Sequence, residues 1–462
     1  MRSDVDQAGV PDPLRCLATF AAELTWVNVP AAAQRQARLA LRDTIGTMLG
    51  GVSTSAAQVA AATASKSAGT APIFGTTMTC AAPLAAFANA VAASALDFDD
   101  GHYLGGAIHP GSVIVSSLLT AAAGLETSME AIVCAQVAGY EIALRAAHLL
   151  WPRHDGDAYH CTGTAATLGA AAAIAKLRGG NTDEIARAIA IAWAHAPMST
   201  FQLPMVKESI GWSGASAYFA ADLAAAGFMS PLGTGGSSVD QILPPTPFHR
   251  SGAMADPFVA SLGEVFETAN TYFKPYAACR YTHAAARALA ELMSSTPTTR
   301  ADIVSIEVHT HRGALFLDDQ RPASLDHGQY SFPFVLSAIL CEGVAAQDQI
   351  NAEQLTNPTR LAEAAKVTVH HDVAFDALYP LHYASRLVVH TTGLQRVEVT
   401  RVSSPGDADD PMSADELAAK FTGLSDAFLG TDADETAERL VTGEQYDPRE
   451  LFALLTRRSA LS

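Results

Sequence analysis

The sequence predicts a mainly α fold: a large all-α helical bundle domain with a smaller α+β domain. Three observations carry the prediction. From about residue 12 to residue 228, apolar residues recur at helical spacing, Ala is abundant, and no strand-like alternation of any length interrupts. A Pro- and Gly-rich stretch over 242–257 then breaks the pattern. Beyond it, runs that alternate with the two-residue period of strands are mixed with short helical runs.

The elements follow in order. Asp12-Pro13 reads as an N-cap and first helical residue, where the missing N–H of Pro costs nothing. Leu41, Ile45, Met48 and Leu49 share one face of the next helix, and Gly50-Gly51 stops it. Leu84, Phe87 and Val91 mark a helix that runs into the acidic cluster Asp97, Asp99 and Asp100. Helical runs continue over 113–125, 131–150, 165–176 and 182–195, with Ala-rich faces that permit close helix approach.

After the break, 303–309, 366–370, 386–390 and 395–402 alternate as strands, and the last two form a hairpin through Thr392-Gly393. Residues 332–340 and 361–365 look helical, and helices return over 413–421 and 436–440. The expected organisation is a helical domain over 1–265, an α+β domain over 266–404, and helices over 405–462 that return to the bundle.

Composition narrows the function. The chain has 462 residues, 49% of them hydrophobic and 16% charged, which fits a large buried core with an oligomer interface. Its formal net charge of -18 argues against nucleic acid and anionic membranes as partners. Cys16, Cys80, Cys134, Cys161, Cys279 and Cys341 are far apart, with no CxxC pair, as expected of reduced thiols in a cytoplasmic protein. The first 13 residues lack the basic and apolar regions of a signal peptide, and no apolar run is long enough to span a bilayer.

Against that acidic background, His109, His160, Lys207 and Lys274 each stand beside the expected start of a helix. A helix start offers free N–H groups and the positive end of the dipole, so four of them with cations suggest one pocket for a small polycarboxylate. Helical spacing puts Asp97 and Gly101 on one face and turns Asp99 away, so that Asp97 is placed to orient the His109 imidazole. The plainer alternative is a solvated helix end with capping histidines. It is weakened because carboxylates are unfavourable at a helix C-terminus.

Thr162, Gly163 and Thr164 after His160 can cap a helix or bind an anion. Lys207 is followed by Gly211 and Gly214, which allow close backbone approach, although Glu208 could simply neutralise it. Cys279 and His283 are spaced i, i+4, as in a nucleophile pair or half a metal site, but no second ligand pair completes a zinc site. His309, His311, His370 and His371 read as structural or surface residues. No GxGxxG, GxxxxGKS, HExxH or GxSxG motif occurs.

These residues carry a resemblance. Asp43 to Gly46 and Gly50, Leu96 to Asp100 with His109-Pro110-Gly111, and Lys274 to His283 resemble, in order, three elements of the MmgE/PrpD family. The resemblance implies a helical domain built from both chain ends, an inserted α+β domain and a site between them. It also implies a homodimer and no metal, and no organic cofactor is expected because the chain lacks closed ligand sets and nucleotide loops.

Carried over by position, the catalytic residues would be Asp97, His109, His160, Lys207 and Lys274. Gly101, His102, Thr162, Cys279, Arg280 and His283 would contact substrate. The implied chemistry is proton transfer α to a carboxylate of a small di- or tricarboxylate. A dehydratase-like lyase is expected first. A dicarboxylate epimerase, a cis-aconitate-type decarboxylase and a non-catalytic carboxylate-binding protein follow, and a helical scaffold for a protein partner stands outside the family reading. Gly101 where the family's decarboxylases have Thr, and Cys279 where they have His, depart from the decarboxylase pattern.

Overall fold

The computed structural model describes residues 13–157, 161–197, 207–228, 256–443 and 446–457. The chain is mainly α, with a small sheet region, as the sequence predicts. The main helices are Pro13–Glu23, Ala31–Gly51, Ser55–Ala64, Ala82–Ser94, Pro110–Ala122, Met129–Asp157, Cys161–Leu177, Thr182–His195 and Lys207–Ala225. A hairpin of two-residue strands, β1 (Ala71–Pro72) and β2 (Thr79–Cys80), interrupts them and is too short to leave an alternating pattern. No helix among the described residues is long and apolar enough to cross a membrane.

Two large hydrophobic cores, with two smaller clusters beside them among the described residues, organise these elements. The first gathers Ile45, Met48, Ile114, Leu118, Ile132, Leu168 and Ile189 from the helices of the first half. It also takes in Leu417, Phe421, Phe428, Leu440 and Leu451 from the helices Ala414–Leu429, Ala433–Thr442 and Pro448–Leu455. Small residues set the spacing within it. A Cβ on Gly169 would lie 2.3 Å from the carbonyl oxygen of Gly139, so the Met129–Asp157 and Cys161–Leu177 helices touch backbone to backbone.

The second core lies under a four-stranded sheet ordered β4-β3-β5-β6: Val367–His371, Ile303–Thr310, Ser385–Thr391 and Arg396–Arg401. β3 pairs parallel with β4 and antiparallel with β5, and β6 completes a hairpin with β5. Ile306 and Val308 of β3 and Leu387 and Val389 of β5 face the helices His283–Ser295 and Phe332–Glu342 across this core. The opposite face carries Glu307, His309 and His370, the last two stacked at 5.3 Å between ring centroids. His311, just past the strand, is instead buried among Tyr281, Tyr379 and Tyr383. Leu96 and Phe98 belong to this second core, although the helix before them packs in the first. The acidic segment therefore runs along the seam of the two cores.

Candidate active site

The helix before the acidic segment ends at Ser94, earlier than helical spacing predicts, and Asp97 takes a left-handed backbone conformation (φ 49°). Asp tolerates that region better than most residues. The bend corrects the expected helix face. Asp97 and Gly101 do not share one, and Asp99 is not turned away, since it is buried 3.8 Å from Lys274.

Lys274 Nζ donates to both the carbonyl oxygen (3.0 Å) and Oδ1 (3.1 Å) of Asp97. Lys207 Nζ donates to Ser94 O at 3.0 Å and lies 4.0 Å from the same Oδ1. Both ammonium groups and both carboxylates are buried, where only mutual pairing makes the charges tolerable. Asp97 Oδ2 has no hydrogen-bond partner. Burial pushes the Asp97 carboxyl up, but Lys274, Lys207 and His109 together outweigh it and hold it at about 2. Burial raises Asp99.

His109 is the N-cap residue of the Pro110–Ala122 helix, and its backbone N–H donates to Thr162 Oγ1 at 3.0 Å. Its Nδ1 lies 2.8 Å from the carbonyl oxygen of Asp100. A carbonyl only accepts, so Nδ1 carries the hydrogen and a neutral ring keeps its lone pair on Nε2. Burial, reinforced by Lys274, lowers the imidazole to about 3 against the opposing pull of Asp97, so it is uncharged near neutral pH. The expectation that Asp97 orients the His109 imidazole is corrected for the Nδ1 contact. The Asp100 carbonyl makes that contact, while the Asp97 carboxylate holds the two lysines. Asp100 is itself held by Gly111 N (3.0 Å) and Tyr140 OH (2.7 Å), and burial, then Asp43, raises its carboxyl well above the usual range.

The helix-start expectation holds for His109, the N-cap of its helix, and Lys207 is the first described residue of the Lys207–Ala225 helix. It does not hold for Lys274. A short 3-10 turn, Arg280–Thr282, and then the helix from His283 follow several residues later. Lys274 therefore reaches the site from an irregular segment, and its own length supplies the contact. His160 lies outside the described residues.

Cys279 is buried near Asp97, Lys274 and Lys207, and burial pushes its thiol up to about 12, which favours the thiol over the thiolate. His283 does not pair with it: its ring nitrogens meet Arg280 Nη1 and the Ala278 carbonyl, each at 3.0 Å. Arg280 also bonds Asp407, Tyr103 OH and the carbonyls of Ser404 and Pro405, so its donors are engaged by the protein. His102 Nδ1 accepts from Leu104 N, and its Nε2 lies 3.4 Å from Glu267 in a neighbouring cleft of about 320 Å³. Thr162 serves the His109 backbone.

Other participants escape the sequence reading. Lys420 Nζ reaches Asp43 Oδ1 (2.6 Å) and the Phe98 carbonyl (2.7 Å), bracing the acidic segment from behind. Its signal was faint: a lone Lys on the face that Leu417, Phe421 and Leu424 turn inward. Gln329 donates to the Ala95 carbonyl (3.1 Å), the Tyr330 ring lies 6.0 Å from Lys207 Nζ, and the Tyr272 and His109 rings are perpendicular at 6.4 Å between centroids. Nothing local in the sequence marks these three.

A mainly helical protein with buried lysines, a carboxylate and a neutral imidazole at the seam of two cores has the means to bind and deprotonate a small acid. Residues 15–234 match the MmgE/PrpD N-terminal domain and residues 276–443 the MmgE/PrpD C-terminal domain, so the chain belongs to the MmgE/PrpD family. It is similar to the cis-aconitate decarboxylase of Mus musculus, 26% identical over 398 residues that cover 81% of this chain and 77% of that protein. The Homo sapiens cis-aconitate decarboxylase is 24% identical over 373 residues, covering 77% and 75%.

Proposed function

We propose that this chain is a lyase that removes the proton α to a carboxylate of a small di- or tricarboxylate. The observation that supports it most is the neutral His109, whose Nδ1 hydrogen lies on the Asp100 carbonyl and whose lone pair is therefore on Nε2, in a buried group that contains Lys207 and Lys274. The lysines hold the substrate's carboxylates and stabilise the charge that builds on one of them as the C–H bond breaks. The electron pair released at the α carbon then expels a group from the β carbon. In a dehydratase that group is a hydroxyl, which leaves as water after taking up a proton.

The two relatives favour decarboxylation as the second reading. There the C–C bond to a carboxylate breaks, CO2 leaves, and the carbanion takes a proton. Gly101 and Cys279, where the family's decarboxylases carry Thr and His, count against decarboxylation without choosing between elimination and epimerisation. An epimerase reading needs a second acid on the opposite face of the substrate.

The test is a panel of citrate, 2-methylcitrate, cis-aconitate and iminodisuccinate, incubated with the protein in deuterated water and followed by proton NMR. Elimination is expected to give a new vinyl signal from citrate, or a methyl singlet on an unsaturated carbon from 2-methylcitrate. CO2 release would select the decarboxylase, and deuterium exchange with inversion the epimerase. Binding of these acids with no product and no exchange would leave a carboxylate-binding protein.

A further inference from the structure

Tyr272 is fully buried, and its hydroxyl has no hydrogen-bond partner. Buried hydroxyls are nearly always partnered, so an unpartnered one beside a reactive cluster asks for a ligand atom. Its position is tightly set. Gly101 N donates to Tyr272 O at 3.0 Å, and Tyr272 N donates back to Gly101 O at 2.8 Å, an isolated antiparallel bridge between the acidic segment and the segment that carries Lys274. The ring packs on the Arg280 guanidinium at 4.4 Å and on Tyr103 at 5.0 Å, and lies perpendicular to the His109 ring with 6.4 Å between centroids.

Gly101 makes this possible. A Cβ there would lie 2.4 Å from both the phenol oxygen and Cζ of Tyr272. Any side chain at position 101 and the hydroxyl of Tyr272 therefore compete for one space. Glycine yields it to the tyrosine.

We propose that the Tyr272 hydroxyl donates a hydrogen bond to a substrate carboxylate oxygen, supplying from across the bridge the polar contact that Gly101 cannot make. The inference rests on the lyase reading. Tyr272 moves no proton. Burial keeps its hydroxyl well above the ordinary phenol range, so it remains a donor throughout. Its bond strengthens as charge grows on the carboxylate, so its effect falls on kcat more than on KM.

The test uses whichever acid of the panel the wild-type protein converts. Tyr272→Phe keeps the ring and removes the donor. It should lower kcat roughly 10²-fold with KM within a factor of about three. Gly101→Ala keeps the hydroxyl but displaces it, and should lower kcat by a similar factor. The double variant Tyr272→Ala with Gly101→Thr opens the space and puts a hydroxyl back, and should recover part of the loss relative to Tyr272→Ala.

A purely packing role predicts something else. Tyr272→Phe would then turn over like the wild type, whatever its melting temperature, and that result overturns the proposal. If Tyr272→Phe does not fold, the Gly101 variants decide. A Gly101→Ala enzyme with unchanged kcat is equally fatal. Wild-type protein that converts none of the acids refutes the lyase reading itself, a different failure.

Discussion

The Nδ1 hydrogen of His109 rests on a backbone carbonyl, and that contact explains both what the sequence reveals of the site and what it hides. Asp97, Lys207 and Lys274 are legible because charged side chains are rare in an Ala-rich chain and three of them announce a polar site. The Asp100 carbonyl has no such signature, since every residue carries one, and only the bend at Asp97 aims it at the imidazole. The prediction at this scale follows from the lone pair that this tautomer leaves on Nε2. His109→Gln keeps the size of the side chain and some hydrogen bonding but cannot accept a proton. We expect kcat to fall by roughly 10²–10⁴-fold with little change in KM. The wild-type profile adds a second expectation. With the imidazole held at about 3, the base stays unprotonated as pH falls through 6.5. The kcat/KM of the wild type, corrected for substrate titration, should show no inflection there. A clear inflection near 6.5 would mean that another histidine is the base.

Elements were legible where periodicity runs long enough. The strands from 303 onward and the helices of the first half show it over many residues, and the structure places them close to the expected bounds. The β1–β2 hairpin, with two residues per strand, has no room for a pattern, and past the end of the Ala82–Ser94 helix the carbonyls of Ser94 and Asp97 are met by Lys207 and Lys274 from far away in sequence. The crossing of Met129–Asp157 with Cys161–Leu177 lies between these cases. Ala richness signals close packing, but only the structure identifies Gly139 and Gly169 as the contact. By helix propensity alone, Gly169→Ala would stabilise its helix by about 1 kcal/mol. The added methyl group would sit 2.3 Å from the Gly139 carbonyl oxygen, a backbone atom that cannot swing aside. The clash should outweigh propensity, with destabilisation of about 1–3 kcal/mol. Thermal unfolding followed by circular dichroism checks it, and a variant that melts at or above the wild type would show that the crossing is looser than described.

At the scale of the whole molecule, an acidic chain carries several histidines that are neutral because they are buried. Burial lowers His109 to about 3 and His311 to about 4, and holds His283 well below its usual value. Unfolded, each titrates near 6.5. Between those limits the unfolded chain binds protons that the folded one does not, so this contribution to stability is complete above about pH 6.5 and is lost as pH falls through it. The buried carboxyls of Asp43, Asp99 and Asp100, which burial raises, oppose the trend, so the net curve mixes both. His311 separates them. It is buried among tyrosines of the second core, with Asp376 pulling its pKa up and His371 pushing it down. His311→Phe keeps an aromatic ring against Tyr281, Tyr379 and Tyr383 and removes one titration. The stability difference between wild type and variant should be flat above pH 7. Between pH 6 and 4.5 it should move in the variant's favour by about 1.4 kcal/mol per pH unit, one proton's worth. Urea unfolding at pH 7.5, 6 and 5 measures it. Parallel curves for the two proteins would mean that His311 takes up its proton in the folded state as readily as in the unfolded one.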